Sequence, residues 1–130
     1  MKTSLLFMLL LAVSLQGAGT VFAQQSLSPT AFTDSITSSI PLVLDVRTPK
    51  EFEQGTLPRA QNFNWKNSEE FKQSAEKLDR SRPIYIFCQS GIRSARAARY
   101  LREQGFEVFE LDGGLQQLTK EKEHTKHTTD

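Results

Sequence analysis

Three apolar runs, each followed by a helix signal or a glycine turn, organise the chain. Leu42-Val43-Leu44-Asp45-Val46 is almost continuously apolar, as strands covered on both faces of a sheet are. Thr48-Pro49-Lys50-Glu51 follows as a capping box with proline at the first helical position, and Gly55 is the matching stop. Ile84-Tyr85-Ile86-Phe87 is the second run, after which an Ala/Arg-rich helix is predicted over 94–104, closed by Gly105. The third, over 106–111, places Phe106, Val108 and Phe109 in a strand that ends at Asp112-Gly113-Gly114.

Weaker patterns fill the gaps. Ser28-Pro29 reads as an N-cap with proline at N1, opening a helix whose Phe32 and Ile36 share a face. A short strand is expected around Phe63 and Trp65. Asn67 or Ser68 then caps a helix in which Phe71, Ala75 and Leu78 recur at helical spacing. Residues 119–130 are polar and mixed in charge, and read as a flexible tail. Strands alternating with helices give an α/β fold, a single domain over 24–118 with a mainly parallel central sheet and helices on both faces. Ligands of such sheets bind beyond the carboxyl ends of the strands.

Residues 1–23 read as a signal peptide: Lys2 provides the positive start, residues 5–15 are mostly apolar, and Val21-Phe22-Ala23 ends in the small residue that cleavage requires. The apolar stretch is short for a membrane span. The expected destination is therefore the periplasm, with secretion as second choice. Lys2 is the one charge in this segment, so 15 acidic and as many basic side chains remain in the rest of the chain. A neutral balance gives no support for nucleic-acid binding or for membrane adhesion after signal cleavage.

The chain has a single cysteine, Cys88, so no internal disulfide can form. It sits where the second strand meets the next helix, in Cys88-Gln89-Ser90-Gly91-Ile92-Arg93-Ser94. A thiol delivered to a helix N-terminus meets unpaired N–H groups and the positive end of the helix dipole, which favour thiolate. Cys88 is read as a nucleophile on that ground. His124 and His127 are the only histidines and lie in the polar tail, which removes Cys-His catalysis.

These residues resemble the rhodanese family of sulfurtransferases, most closely its small single-domain exported members of the phage-shock type. The resemblance rests on Leu44-Asp45-Val46-Arg47 with Pro49-Lys50-Glu51-Phe52, on the loop from Cys88 to Ala95, and on Leu111-Asp112-Gly113-Gly114. It departs from the family pattern at Thr56 and Arg59, where a histidine and a glycine are usual, at Leu118, and at Gln89, where some members carry a basic residue.

The resemblance implies a thiosulfate sulfurtransferase that works without metal or cofactor through a Cys88 persulfide. A small sulfur-containing anion would be the donor, and cyanide, a thiol or a thioredoxin-like protein the acceptor. The loop residues Gln89, Ser90, Gly91, Ile92, Arg93 and Ser94 would cradle the anion, as a nest of N–H groups does. Arg93 has two open roles, contact with the donor's anionic end or pairing with a carboxylate such as Glu51 or Asp45 to brace the loop. Arg59 either borders the pocket mouth or lies idle on the surface. Asp45 and Arg47 read as a structural charge pair near the site, and Arg96, Arg99 and Arg102 as a helix row that either steers anions or, more commonly for such rows, forms a solvated face.

Two other functions remain alternatives: a rhodanese-like binding or sensing module without turnover, and a phosphatase-related enzyme. Such phosphatases place five residues between cysteine and arginine, whereas only Gln89, Ser90, Gly91 and Ile92 intervene here. A thiol–disulfide oxidoreductase would want a second cysteine for resolution.

Overall fold

The computed structural model describes residues 25–38 and 40–128; the expected signal peptide over 1–23 lies outside them. Among the described residues, five strands and five helices alternate. The strands are β1 (Ser26–Leu27), β2 (Leu42–Asp45), β3 (Gln61–Asn62), β4 (Ile84–Phe87) and β5 (Val108–Leu111). The helices are α1 (Pro29–Ser38), α2 (Pro49–Glu53), α3 (Ser68–Glu76), α4 (Ile92–Glu103) and α5 (Gly114–Thr128). All strand pairs are parallel, in the order β1-β5-β4-β2-β3. This is the single α/β domain that the alternation of patterns predicts.

Because successive strand side chains point to opposite faces, each central strand feeds two cores. Leu42, Leu44, Ile84 and Ile86 pack with Phe71 and Ala75 of α3 and with Ala97, Ala98 and Leu101 of α4. Val43 and Phe87 face the other way, onto Phe32 and Ile36 of α1 and Leu118 of α5. The same alternation carries one step past β4: Cys88 follows Ile84 and Ile86 onto the α4 face, where it is completely buried.

The predicted caps form. Thr48 Oγ1 accepts from the Glu51 N–H while the Glu51 carboxylate accepts from the Thr48 N–H. Ser28 Oγ accepts from the Ala31 N–H, and Asn67 caps α3.

Four details differ from expectation. The strand expected around Phe63 and Trp65 is centred earlier, at Gln61–Asn62, although Phe63 and Trp65 still donate to the carbonyls of Asp45 and Val46 while their rings pack on the α3 core. Helix α4 begins at Ile92, two residues sooner than Ser94, because Gly91 takes a left-handed φ of 93° and serves as its N-cap. Strand β1 was not foreseen; two residues paired through backbone bonds to β5 carry no readable side-chain period.

The segment 119–130, read as a flexible tail, continues α5 through Thr128. Leu115 and Leu118 anchor the start of this helix on the α1 face, and neither glycine nor proline interrupts the Lys/Glu-rich remainder, whose residues favour helix. Among the described residues no helix is long and apolar enough to cross a membrane.

Candidate active site

The site forms at the carboxyl edge of β4, where the chain must turn from strand to helix around the buried sulfur. Cys88 Sγ accepts from the N–H of Gly91 at 3.1 Å and of Ser94 at 3.4 Å, and lies 3.4 Å from Ser94 Oγ. Ser94 Oγ also lies 3.2 Å from the Gly91 carbonyl. A hydroxyl has one proton to give. Beside a thiol, the S–H donates to Ser94 Oγ and the hydroxyl donates to Gly91; beside a thiolate, the hydroxyl turns and donates to sulfur.

The acidity of Cys88 follows from two opposed effects. Burial pushes the thiol up, while the Ser94 hydroxyl, the Ser94 and Gly91 N–H groups and the Ser90 N–H stabilise the anion. The donors win, and Cys88 titrates below its ordinary value. The loop thus provides a preformed cradle for negative charge on sulfur.

Helix α5 holds this cradle from behind. Leu115 and Gln116 donate their N–H groups to the carbonyls of Cys88 and Gln89, both at 3.0 Å. Such close approach requires glycine at position 114: a Cβ there would stand 2.6 Å from Gln89 O and 2.7 Å from Cys88 O, at a φ of 65°. The Asp112-Gly113-Gly114 turn is therefore part of the site's frame, a role that its turn chemistry alone did not disclose.

Two ion pairs tie the loop to β2 and α2. Arg93 makes a bidentate pair with Glu51, both bonds at 2.8 Å. The same carboxylate accepts from Thr48 N–H and Oγ1 at 2.9 Å, so one side chain caps α2 and braces the cysteine loop. Its pairing with Arg93 holds Glu51 well below the usual carboxylate range and raises Arg93 in turn. Of the two roles open to Arg93, the structure selects the brace, and the brace is Glu51.

The second pair is buried. Arg47 binds Asp45 through Nε at 3.0 Å and Nη2 at 2.8 Å, donates to Gly55 O at 2.7 Å, and reaches Gln89 Oε1 at 3.4 Å. Thr56 Oγ1 donates to Asp45 Oδ2 at 2.8 Å, and Asn62 Nδ2 donates to the carbonyls of Asp45 and Arg47. Every polar atom that Asp45 brings into the interior therefore has a partner, as a buried charge requires. Asp45 and Arg47 are the structural charge pair expected. Thr56 and Asn62 are additions, one following from the Thr56 departure and the other, within the short strand β3, lacking any sequence signal.

The remaining candidates lie further out. Arg59 occupies an exposed turn closed by the Ala60 N–H to Leu57 O bond, with a left-handed φ of 61°, which explains why glycine is usual at this position. Gln89 and Ser90 are exposed, and Ile92 is 61% exposed at the first turn of α4. Arg102 departs from the solvated row: it pairs with Glu110 at 2.9 Å and donates to Val108 O at 2.8 Å, bracing α4 to β5. Among the described residues no cluster of three His, Cys, Asp or Glu side chains could hold a metal ion.

Known proteins agree with this geometry. The Rhodanese-like domain profile matches residues 28–121. The thiosulfate sulfurtransferase GlpE of Shewanella oneidensis is 41% identical over 74 residues, spanning 56% of this chain and 70% of that protein. A tRNA uridine(34) hydroxylase of Pelagibacter ubique is 41% identical over 75 residues, but these are 57% of this chain and only 25% of the hydroxylase. Among solved structures, a rhodanese-related protein from Thermoplasma volcanium superimposes with a TM-score of 0.66 at 27% identity, covering 75% of this chain and 92% of that one. With the parallel sheet, the strand-to-helix cysteine loop and the glycine turn that backs it, the chain belongs to the rhodanese-like domain family.

Proposed function

We propose that the protein is a sulfurtransferase that moves a sulfane sulfur from thiosulfate, or a similar anionic donor, to a thiol or cyanide. The observation that carries this reading is the fully buried Cys88 sulfur held by N–H donors of Gly91 and Ser94 and by the Ser94 hydroxyl. Cys88 thiolate attacks the outer sulfur of thiosulfate; the Cys88 S–S bond forms as the donor's S–S bond breaks and sulfite leaves with its electron pair. An acceptor thiolate or cyanide then attacks the outer sulfur of the persulfide, and Cys88 leaves as thiolate. Both halves keep one negative charge near the cradle, so the same donors stabilise thiolate and persulfide without reorganising.

With Arg93 committed to Glu51, the donor's charge falls to the loop backbone from Gln89 to Ser94. The spacing of four residues between Cys88 and Arg93 supports sulfur over phosphate as the group transferred. The hydroxylase relative offers no argument for that activity, since the shared part is a quarter of its length. Residues 1–23 are proposed to direct export of the small phage-shock type, with cleavage after Ala23 checked by N-terminal sequencing of the protein recovered from the periplasm.

Thiocyanate formation from thiosulfate and cyanide tests the reading. The wild type should turn over and Cys88→Ser, folded by circular dichroism, should not, since a hydroxyl neither ionises there nor forms a persulfide. Turnover retained in Cys88→Ser would refute the role of the thiol. A folded wild type that forms no thiocyanate would favour the binding-module alternative.

A further inference from the structure

Helix α4 leads away from the cysteine loop with four arginines and one carboxylate, Glu103. Two of the arginines are used inside the fold, Arg93 on Glu51 and Arg102 on Glu110. Arg96 and Arg99 are exposed and make no hydrogen bond or ion pair among the described residues. They share one helix face with Ile92 and Ala95, at the helical spacings of three, four and seven. Ile92, at the lip of the loop, and Ile40 are the exposed large hydrophobic side chains of the described residues.

This face is also hollow. A groove of about 570 Å³ runs along Ser90, Gly91, Ile92, Ala95 and Arg96, and a second hollow of about 270 Å³ continues it between Ala95, Arg96 and Arg99. On the opposite wall stand Asp112 and Glu110, the latter neutralised by Arg102.

Resting on the sulfurtransferase reading, we infer that the Ile92-Arg96-Arg99 face of α4 docks a protein or peptide acceptor whose cysteine is flanked by acidic residues and an apolar side chain. A small dianion has no use for an exposed isoleucine and would fill little of such a groove. An extended segment can place an apolar side chain on Ile92 and carboxylates on Arg96 and Arg99 while its thiol meets the loop. The charge complementarity is with the two arginines that the fold leaves unpaired, and it gives association rate and selectivity more than raw affinity.

The test uses short synthetic peptides of one length, each with a central cysteine flanked by glutamates, by lysines or by uncharged residues. In one arm, Cys88 is loaded with thiosulfate and the discharge of the persulfide to each peptide thiol is followed. In the other, each peptide carries a thiopyridyl disulfide: Cys88 thiolate attacks the peptide sulfur, the new Cys88–peptide disulfide forms, and thiopyridone leaves with the electron pair of the broken bond and is read by absorbance. At low ionic strength the glutamate peptide should react about tenfold faster than the lysine peptide, and the ratio should shrink toward one in high salt. Leucine beside the cysteine should improve the glutamate peptide over serine there. The surface double variant R96E/R99E should reverse the charge preference and leave reaction with uncharged dithiothreitol unchanged.

Equal rates for the three peptides on the wild type, or a preference that survives R96E/R99E, would overturn the inference. The two arms separate it from the reading on which it rests. If thiosulfate loads nothing but the disulfide arm keeps its charge preference, sulfur transfer fails and the docking face stands; if loading succeeds without a preference, the face fails and sulfur transfer stands.

Discussion

Removing the Ser94 hydroxyl is the sharpest probe of the cradle, because it deletes one donor and leaves the backbone N–H groups in place. Ser94 Oγ lies 3.4 Å from the sulfur and Ser94 is itself fully buried, so no water takes over in Ser94→Ala. A hydrogen bond to a charged group contributes about 1.5–3 kcal/mol; at this distance the lower end applies, or about a tenfold change in the thiol–thiolate equilibrium. The inflection of the alkylation rate against pH should therefore move up. Below it, the variant should hold about tenfold less thiolate, partly offset by the greater nucleophilicity of a more basic sulfur, about threefold for that change. Iodoacetamide should thus react about threefold slower on the acid side of the inflection and about threefold faster on the plateau.

Stability moves with the same sign. The depressed Cys88 titration stabilises the fold above the unfolded thiol's ordinary value, and this is lost as pH falls through the folded value. Ser94→Ala should narrow that alkaline gain. An inflection that stays in place or moves down would refute the claim that the hydroxyl turns to meet the thiolate.

Gly114→Ala should lower sulfur transfer by about a hundredfold by pushing the carbonyls of Cys88 and Gln89. Gly105→Ala, also at positive φ but with open space around its Cβ, should lower the thermal midpoint and spare turnover, so equal losses in the two variants would contradict the α5 frame. Glu51→Gln should cost about 1 kcal/mol of stability, allowing for the partial exposure of both members of the Arg93 pair. Because Glu51 is depressed from 4.5 to well below the usual carboxylate range, the difference from wild type should be complete above 4.5 and shrink progressively as pH falls from there toward the folded value. Thermal melts from about pH 7 to 3 would show this as a declining gap; a difference independent of pH would point to packing. One small residue inserted between Gly91 and Ile92 should widen the cradle and abolish transfer, whereas the same insertion after Lys77, outside the site, should not; transfer surviving the loop insertion would remove loop size from the explanation.

Much of the site was legible because its chemistry is local. The Thr48–Glu51 box, the apolar run into Cys88 and the Asp112-Gly113-Gly114 turn each declare themselves within a few residues, although the turn's role behind the loop does not, and period-two alternation alone places Cys88 on the same face as Ile84 and Ile86. Contacts across the chain were less visible. Glu51 and Asp45 were equal candidates for Arg93 until the register of β2 against β4 set their distances. The Thr56 bond to Asp45 depends on how α2 returns the chain over β2, which no local pattern encodes. The tail misled because polar composition argues against a core but not against helix: once Leu115 and Leu118 are seated, Lys and Glu extend the helix at little cost.

The central claim is that the buried, hydrogen-bonded Cys88 takes up one sulfur from an anionic donor. The protein, incubated with excess thiosulfate and no acceptor, should gain the mass of one sulfur atom, lose it to dithiothreitol, and release one sulfite for each persulfide formed. Peptide mapping should place the added sulfur on the fragment containing Cys88. Sulfite release without added mass, or no gain of mass under conditions in which Cys88 is readily alkylated, would contradict the account.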